Sequence, residues 1–261
     1  MKIARMIAEL PHPAGSVGLV PTMGAFHAGH VALFEAARAE NDMVVVSLFV
    51  NPAQFSEGED LDHYPRNEER DAGLAEEAGV DVLFAPSADE LYPEGFATWV
   101  DVGELGAKLE GEFRPGHFRG VATVCLKLFN IVRPDRAYFG QKDAQQAAVV
   151  KQLVRDLNLD LEIRVVPTVR DDDGLALSSR NAYLSPEQRA AALALPNALW
   201  TGRDAFVAGS DPVKEARHLL HSLDVDYLEV AELNGQKVLA AAVRIGKTRL
   251  IDNVILEGET T

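Results

Sequence analysis

Residues 43–50 (MVVVSLFV) form an apolar run that needs cover on both faces, as a strand inside a parallel sheet has. Similar short runs recur at residues 16–20, 81–85, 136–139 and 161–166. Between them lie segments with apolar residues at helical spacing, predicting helices over 31–40, 67–78, 121–132 and 144–157. The order strand, helix, strand predicts an α/β fold with a parallel sheet. A short strand is also expected over 98–102, and residues 1–10 read as one or two amphipathic turns. From Ser185 onward the pattern changes. Helices over 186–208 and 212–223 are followed by three strand-like runs at 227–231, 237–243 and 248–255. A domain boundary is therefore expected near residues 168–176, giving a first domain over 1–168 and a smaller α+β domain over 169–261.

Bulk properties narrow the function. The chain has 261 residues, 47% of them hydrophobic, and a formal net charge of -15. Its mean hydropathy is -0.04. Such acidity argues against a nucleic-acid backbone as partner, because phosphate-tracking surfaces are basic. A small anionic ligand stays possible where cations cluster locally. The lone cysteine, Cys125, sits in an apolar helical stretch and reads as core. No apolar run is long enough to span a bilayer, and the N-terminal segment has no signal-peptide core, so a cytoplasmic protein without a membrane partner is expected. The charged residues 57–60 read as a solvated face.

Chemistry concentrates where strands end. Pro21-Thr-Met-Gly-Ala-Phe-His-Ala-Gly-His30 joins the strand over 16–20 to the helix over 31–40. In an α/β sheet such a turn lies at the carboxyl edge, where ligands bind. Gly24 and Gly29 permit positive φ or close approach of a ligand. The helix N-terminus beyond them offers unpaired N–H groups to phosphate. With a helix starting near His27, the rings of His27 and His30 point the same way, suited to stabilising charge or moving a proton. An ordinary glycine loop with two solvated histidines is the alternative. Half of a metal site lacks a third ligand, since Glu35 lies too far along.

Four further segments add polar groups. Asn51-Pro-Ala-Gln-Phe55 exposes the amides of Asn51 and Gln54 at the same edge, for substrate or for solvent. Residues 109–120 look loop-like and place Arg114, His117 and Arg119 where a lid over an anion would be, or where a basic turn balances nearby acid. Gly140-Gln-Lys-Asp143 is a second strand-to-helix junction, with Lys142 opposing the helix dipole by about 0.3–1 kcal/mol unless a phosphate binds. Leu177-Ser-Ser-Arg-Asn181 carries two hydroxyls and a guanidinium, donors for a polyphosphate or simple turn caps.

There is no GxxxxGK[ST] and no GxGxxG, so neither a P-loop nor a dinucleotide fingerprint is present. A His-x-Gly-His turn with a later Ser/Lys-bearing loop is similar to the nucleotidyl-transfer superfamily, which attacks the α-phosphate of ATP. Seven motifs in order carry a closer resemblance. They are residues 21–30, Val50-Asn-Pro-Ala-Gln-Phe55, Tyr64-Pro-Arg66, Arg114-Pro-Gly-His-Phe118, Phe139-Gly-Gln-Lys-Asp143, Asp173-Gly-Leu-Ala-Leu-Ser-Ser-Arg-Asn181 and Thr248-Arg-Leu-Ile-Asp-Asn253. Nearly end to end, the chain resembles the pantothenate synthetase (pantoate–β-alanine ligase) family.

That resemblance implies a Rossmann-like N-terminal domain with a smaller C-terminal lid domain, as a homodimer. It implies that ATP with Mg²⁺ activates pantoate as pantoyl adenylate, which β-alanine converts to pantothenate and AMP. Carried over by position, Met23, Gly24, Ala25, Phe26, His27, Ala28, Gly29 and His30 hold ATP, with His30 the active-site residue. Gly140, Gln141, Lys142, Asp143, Val169, Leu177, Ser178, Ser179 and Arg180 also meet ATP, and Lys142, Ser178 and Arg180 carry most of the phosphate charge. Gln54 meets pantoate and β-alanine, Gln146 meets pantoate, and Asn51 and Arg114 are further substrate contacts. The protein ligands of Mg²⁺ are left open. Phe26 stands where the family usually has leucine, Ala144 where a tyrosine is common, and the connection between Val230 and Leu239 is shortened. A small nucleotidyltransferase acting on a phosphorylated alcohol and an inactive nucleotide-binding module are the rival readings.

Overall fold

A computed structural model describes residues 1–56 and 61–257; the acidic residues 57–60 lie outside this range. The chain divides into two compact units, Met1–Phe139 with Gln145–Val166, and Gly140–Ala144 with Pro167–Thr261. Among the described residues no helix is long and apolar enough to cross a membrane.

The first unit runs β1 (Lys2–Ala4), β2 (Val17–Thr22), α1 (Ala28–Glu40), β3 (Met43–Leu48), α2 (Glu68–Glu77), β4 (Val82–Phe84), α3 (Ala88–Leu91), α4 (Glu110–Phe113), α5 (His117–Val132), β5 (Arg136–Gly140), α6 (Ala144–Asp156) and β6 (Glu162–Val166). Its six strands lie in the order β1-β4-β3-β2-β5-β6. Neighbours from β1 to β5 pair in parallel, with Val20 opposite Val46 and Leu19 opposite Ala137. Both faces are covered, which explains the apolar runs. Leu19 and Val45 pack into one core with Phe118, Val121 and Leu153, while Val20, Val44 and Val46 pack into another with Phe34 and Leu83. Each such buried side chain contributes about 1.5–3 kcal/mol of transfer free energy. Cys125 belongs to the first core, and burial pushes its thiol up to about 12. β2 and β5 are neighbours although β3 and β4 fall between them in sequence, so the strand order reverses there. Their shared carboxyl edge is a topological switch point, where α/β sheets bind ligands.

Three local expectations for this unit differ from the structure. Residues 1–10 hold the edge strand β1 and one 3-10 turn, Ile7–Glu9, because the segment pairs with β4, Ala4 opposite Phe84. Residues 98–102 form no strand. The Val100 N–H donates to Thr123 Oγ1 of α5 (3.1 Å) instead of to a neighbouring strand. Helix α5 begins at His117, four residues earlier than its apolar spacing indicates, behind Gly116 at φ 84°.

The second unit contains α7 (Pro186–Ala192), α8 (Ala194–Val207), α9 (Pro212–Leu219) and an antiparallel sheet of β7 (Asp224–Leu233), β8 (Gln236–Ile245) and β9 (Thr248–Glu257). One core joins Leu195, Leu199 and Leu220 to Leu239, Val243 and Val254. The single helix expected over 186–208 is broken at Leu193. Pro196 lacks an N–H and its ring disfavours helix four residues back, so the proline falls in the first turn of α8 instead. Helix α9 ends at Leu219, because pairing in β7 starts at Asp224. The connection between Val230 and Leu239 is a two-residue hairpin, Asn234 (φ 50°) and Gly235 (φ 82°), between Leu233 and Gln236. Both central residues at positive φ match the turn that follows strand twist.

Candidate active site

Strand β2 ends at Thr22, and the chain turns sharply through Met23–Phe26 before α1. Gly24 has φ 90°, and a Cβ there would sit 2.7 Å from Leu48 Cδ1 and 3.1 Å from Asp71 Oδ2. Ala25 follows at φ 53°, a left-handed conformation costing about 1–2 kcal/mol for a residue with a Cβ. Asp71 of α2, 1% exposed, offsets that strain. Its Oδ2 accepts the Ala25 N–H and its Oδ1 the Phe26 N–H, each at 2.8 Å. Hydrogen bonds to an ionised acceptor are about twice as strong as neutral ones. Phe26 is buried with its ring 5.0 Å from that of Phe34 and 5.3 Å from that of His30, so it fills core beneath the histidine.

Helix α1 starts at Ala28, and His27 is its N-cap in extended conformation (φ -143°). His27 Nδ1 accepts the Gly29 N–H at 3.1 Å, and His30 Nδ1 accepts the His27 N–H at 3.3 Å. Their ring centroids lie 4.2 Å apart. A ring nitrogen that accepts carries no proton, so Nε2 carries it in each neutral imidazole. The structure brings the two histidines together as expected, but the amides around them are occupied. His27 O accepts the N–H groups of His30 (2.8 Å) and Val31 (3.1 Å). The unpaired N–H groups expected for phosphate are therefore largely taken by the turn itself, because an N-cap exists to satisfy them. Gly29 lies within α1 rather than at positive φ.

The Asn51 loop is fixed from several sides. Gln54, 6% exposed, donates through Nε2 to Met23 Sδ at 3.0 Å and accepts at Oε1 from Asn51 Nδ2 at 3.1 Å. Asn51 Nδ2 also donates to Gly120 O (3.2 Å), and its Oδ1 accepts from Ala53 N (3.2 Å). A Cβ on Gly120 would lie 2.1 Å from Ala53 O, so glycine lets α5 close on the loop. The Gln54 carbonyl accepts from His117 Nδ1 at 2.7 Å and from Arg114 Nη2 at 3.4 Å. With its proton on Nδ1, His117 accepts from Arg114 Nη1 through Nε2 (3.1 Å). The loop expected over 109–120, as a lid or a basic turn, is instead mostly helix, α4 and the start of α5. His117 is buried in it and serves Gln54, while Arg119 lies over Trp99 at 4.9 Å.

In the second unit, Gln141–Asp143 form a 3-10 turn ahead of α6, so Lys142 precedes that helix rather than lying in its first turn. The Lys142 ammonium contacts Asp143 Oδ1 at 3.3 Å, with the lysine side chain 20% exposed. Val169 and Leu177 are brought together, the Leu177 N–H donating to Val169 O at 3.0 Å beside the Arg170–Ala176 bridge. Ser178 caps the 3-10 turn Ser179–Tyr183, its Oγ accepting from Arg180 N at 3.3 Å. Capping and ligand donation are compatible here, since a hydroxyl that accepts still has a proton to give. Of the two glutamines opening α6, Gln145 is committed to structure, donating to Leu105 O (2.8 Å) and Lys108 O (2.7 Å) within the first unit. Gln146 is half-buried beside it.

Asp71, Asn253 and Asp252 have structural partners that the sequence pattern alone does not announce. Asp71 lies in the acidic stretch Glu68-Glu-Arg-Asp71, whose composition resembles a solvated face. A usable signal was its place four residues before Ala75, on the side of α2 that carries that alanine into the core. Asn253 and Asp252 close one of the seven motifs yet had no assigned task.

Comparisons with known proteins identify the family. Residues 2–255 match the family described as Pantoate-beta-alanine ligase. The chain is 51% identical to the pantothenate synthetase of Pelotomaculum thermopropionicum, over 98% of this chain and 96% of that one. It is 52% identical to that of Aquifex aeolicus, over 91% and 90%. Its structure superposes on pantothenate synthetase from Thermus thermophilus with a TM-score of 0.94 and 47% identity, covering 99% and 100% of the two chains. A Francisella tularensis pantoate-beta-alanine ligase, solved with β,γ-ATP and β-alanine, superposes at 0.84 with 36% identity over the whole of both chains. The chain thus belongs to the pantoate–β-alanine ligase family.

Proposed function

We propose that this protein condenses pantoate with β-alanine, using ATP and releasing AMP and pyrophosphate. The family match over residues 2–255, which takes in both strand-ending turns, carries the reading. A pantoate carboxylate oxygen attacks the α-phosphorus, the bond to the β-phosphate breaks, and pyrophosphate leaves. The β-alanine amine then attacks the pantoyl carbonyl, AMP departs, and the nitrogen gives up a proton.

An anion attacking an anion needs positive charge and donors where charge builds. In this reading the Met23–His30 turn holds ATP, with His27 and His30 near its phosphates. Lys142 and Arg180 supply charge, Ser178 a hydroxyl, and Gly140, Gln141, Asp143, Val169, Leu177 and Ser179 further ATP contacts. Gln54 and Gln146 take pantoate, with Arg114 near its carboxylate, and Asn51 acts by holding Gln54. Proximity supplies the rest of the rate.

Among the described residues, no three His, Cys, Asp or Glu side chains are grouped to hold a metal ion. Asp143, half-buried and 3.3 Å from the Lys142 ammonium, is a carboxylate suited to assist Mg²⁺ held otherwise by phosphate oxygens and water. Bound there, the ion would screen the phosphate charge. The reading extends to a cytoplasmic homodimer on family resemblance, which sedimentation and cell fractionation test.

Pantoate-dependent ATP–pyrophosphate exchange is the decisive assay. Exchange without β-alanine, and AMP only after its addition, are expected. Pyrophosphate release driven by a phosphorylated alcohol instead of pantoate would overturn the assignment.

A further inference from the structure

The motif Thr248–Asn253 has no task in the reaction as described, yet its last residue reaches the Lys142 turn. Asn253 of β9 is 5% exposed and makes three hydrogen bonds there. Its Nδ2 donates to Gln141 O and to Lys142 O, both at 2.9 Å. Its Oδ1 accepts from Gln141 Nε2 at 3.0 Å. Two successive peptide carbonyls and one side chain of a three-residue turn are therefore tied to a single amide. A turn that short has little stability of its own, so such bonds decide its conformation.

The neighbouring residue anchors the clamp. Asp252, 2% exposed, accepts from Arg170 Nη1 at 2.6 Å and Nη2 at 3.0 Å, and its Oδ1 also accepts the Asn253 N–H at 2.8 Å. Arg170 Nη1 further donates to Gly174 O at 3.1 Å. Burial pushes the Asp252 carboxyl above its ordinary range, while Arg170, the Asn253 N–H and the nearby Lys142 ammonium pull it down. The facing β8 residues are Ala240 and Ala241, small enough to leave room for these groups.

We infer that Asn253 is a positioning residue for Lys142, with the Asp252–Arg170 pair fixing Asn253 in turn. The inference rests on the proposed role of Lys142 at the phosphates. An amide suits the task because carbonyls must be met by a donor. Aspartate at 253 would set a carboxylate against two carbonyls.

A double-mutant cycle on the full-length enzyme tests this, read by pantoate-dependent ATP–pyrophosphate exchange and by melting temperature. Lys142→Ala is expected to lose at least about tenfold in rate. Asn253→Ala is expected to lose about tenfold or more in kcat with a smaller change in KM for ATP, and Asn253→Asp to lose at least as much. In the Lys142→Ala background, Asn253→Ala is expected to cost less than about threefold further, because its effect passes through the lysine. If the alanine variant does not fold, Asn253→Ser, which keeps one donor, enters the same cycle. Multiplying losses in folded proteins, or normal exchange by Asn253→Ala beside an impaired Lys142→Ala, overturns the inference alone. Normal exchange by Lys142→Ala removes the role of the lysine itself, and the inference with it.

Discussion

The turns after β2 and β5 are held in opposite ways. After β2, the chain takes positive φ at Gly24 and Ala25, and a buried carboxylate, Asp71, grips two N–H groups. After β5, Gly140 is extended at φ -87°, and a neutral amide, Asn253, grips two carbonyls. The chemistry of each anchor follows from the backbone group it must satisfy. Amides call for an acceptor, and an ionised one bonds most strongly. Carbonyls call for a donor, and an uncharged amide provides two without placing a further cation beside Lys142. The first turn stores strain and needs a strong anchor, whereas the second is unstrained and needs only direction.

Asp71→Ala should have the largest effect. It removes two charge-assisted bonds from a strained turn and leaves two N–H groups unmet, so chemical denaturation should show a loss of about 2–4 kcal/mol. A loss under about 0.5 kcal/mol, the scale of an ordinary surface substitution, would break the contrast. Glycine substitution sharpens it. Gly24→Ala meets both positive φ and Leu48, and should cost about 1–3 kcal/mol, while Gly140→Ala has nothing within 4 Å of its new Cβ and should stay within about 0.5 kcal/mol. Similar thermal shifts for the two would show that strain does not separate the turns.

A smaller effect concerns pH. In the second unit, burial of Asp226 is outweighed by bonds from Arg244 and Arg249, which lower its pKa. Its stabilisation is present above the unfolded carboxylate value of about 3.9 and lost as pH falls through the lower folded value. Asp226→Asn should therefore flatten the acid limb of the stability curve below about pH 4. An unchanged acid limb would show that the pair contributes nothing.

The legible parts of the fold were those with local cause. Val44, Val45 and Val46 announce a strand covered on both faces, and Asn67, Ser185 and Asp211 cap the helices that follow them. β1 was not legible, since three residues become a strand only through β4, far along the chain. Residues 98–102 failed in the opposite sense, having strand composition and no strand to pair with. In the candidate site, the histidine pair could be read from its spacing and the cations from their loops. That His27 is a cap was invisible, because only the true start of α1 decides whether its ring faces ligand or backbone.

The residues alone determined the alternation that makes an α/β sheet, the two glycine turns at strand ends, and the motif order that marks the family. All of these depend on interactions within about one turn of chain or on the linear pattern itself. The tertiary structure decided which polar groups are spent on holding those turns: Asp71 on Ala25 and Phe26, His117 on Gln54, and Asn253 on Lys142. Phe26 and Asp71 lie 45 positions apart, Gln54 and His117 63, and Lys142 and Asn253 111, so no local pattern records them. A buried donor or acceptor must be paired, and only the folded chain determines with what.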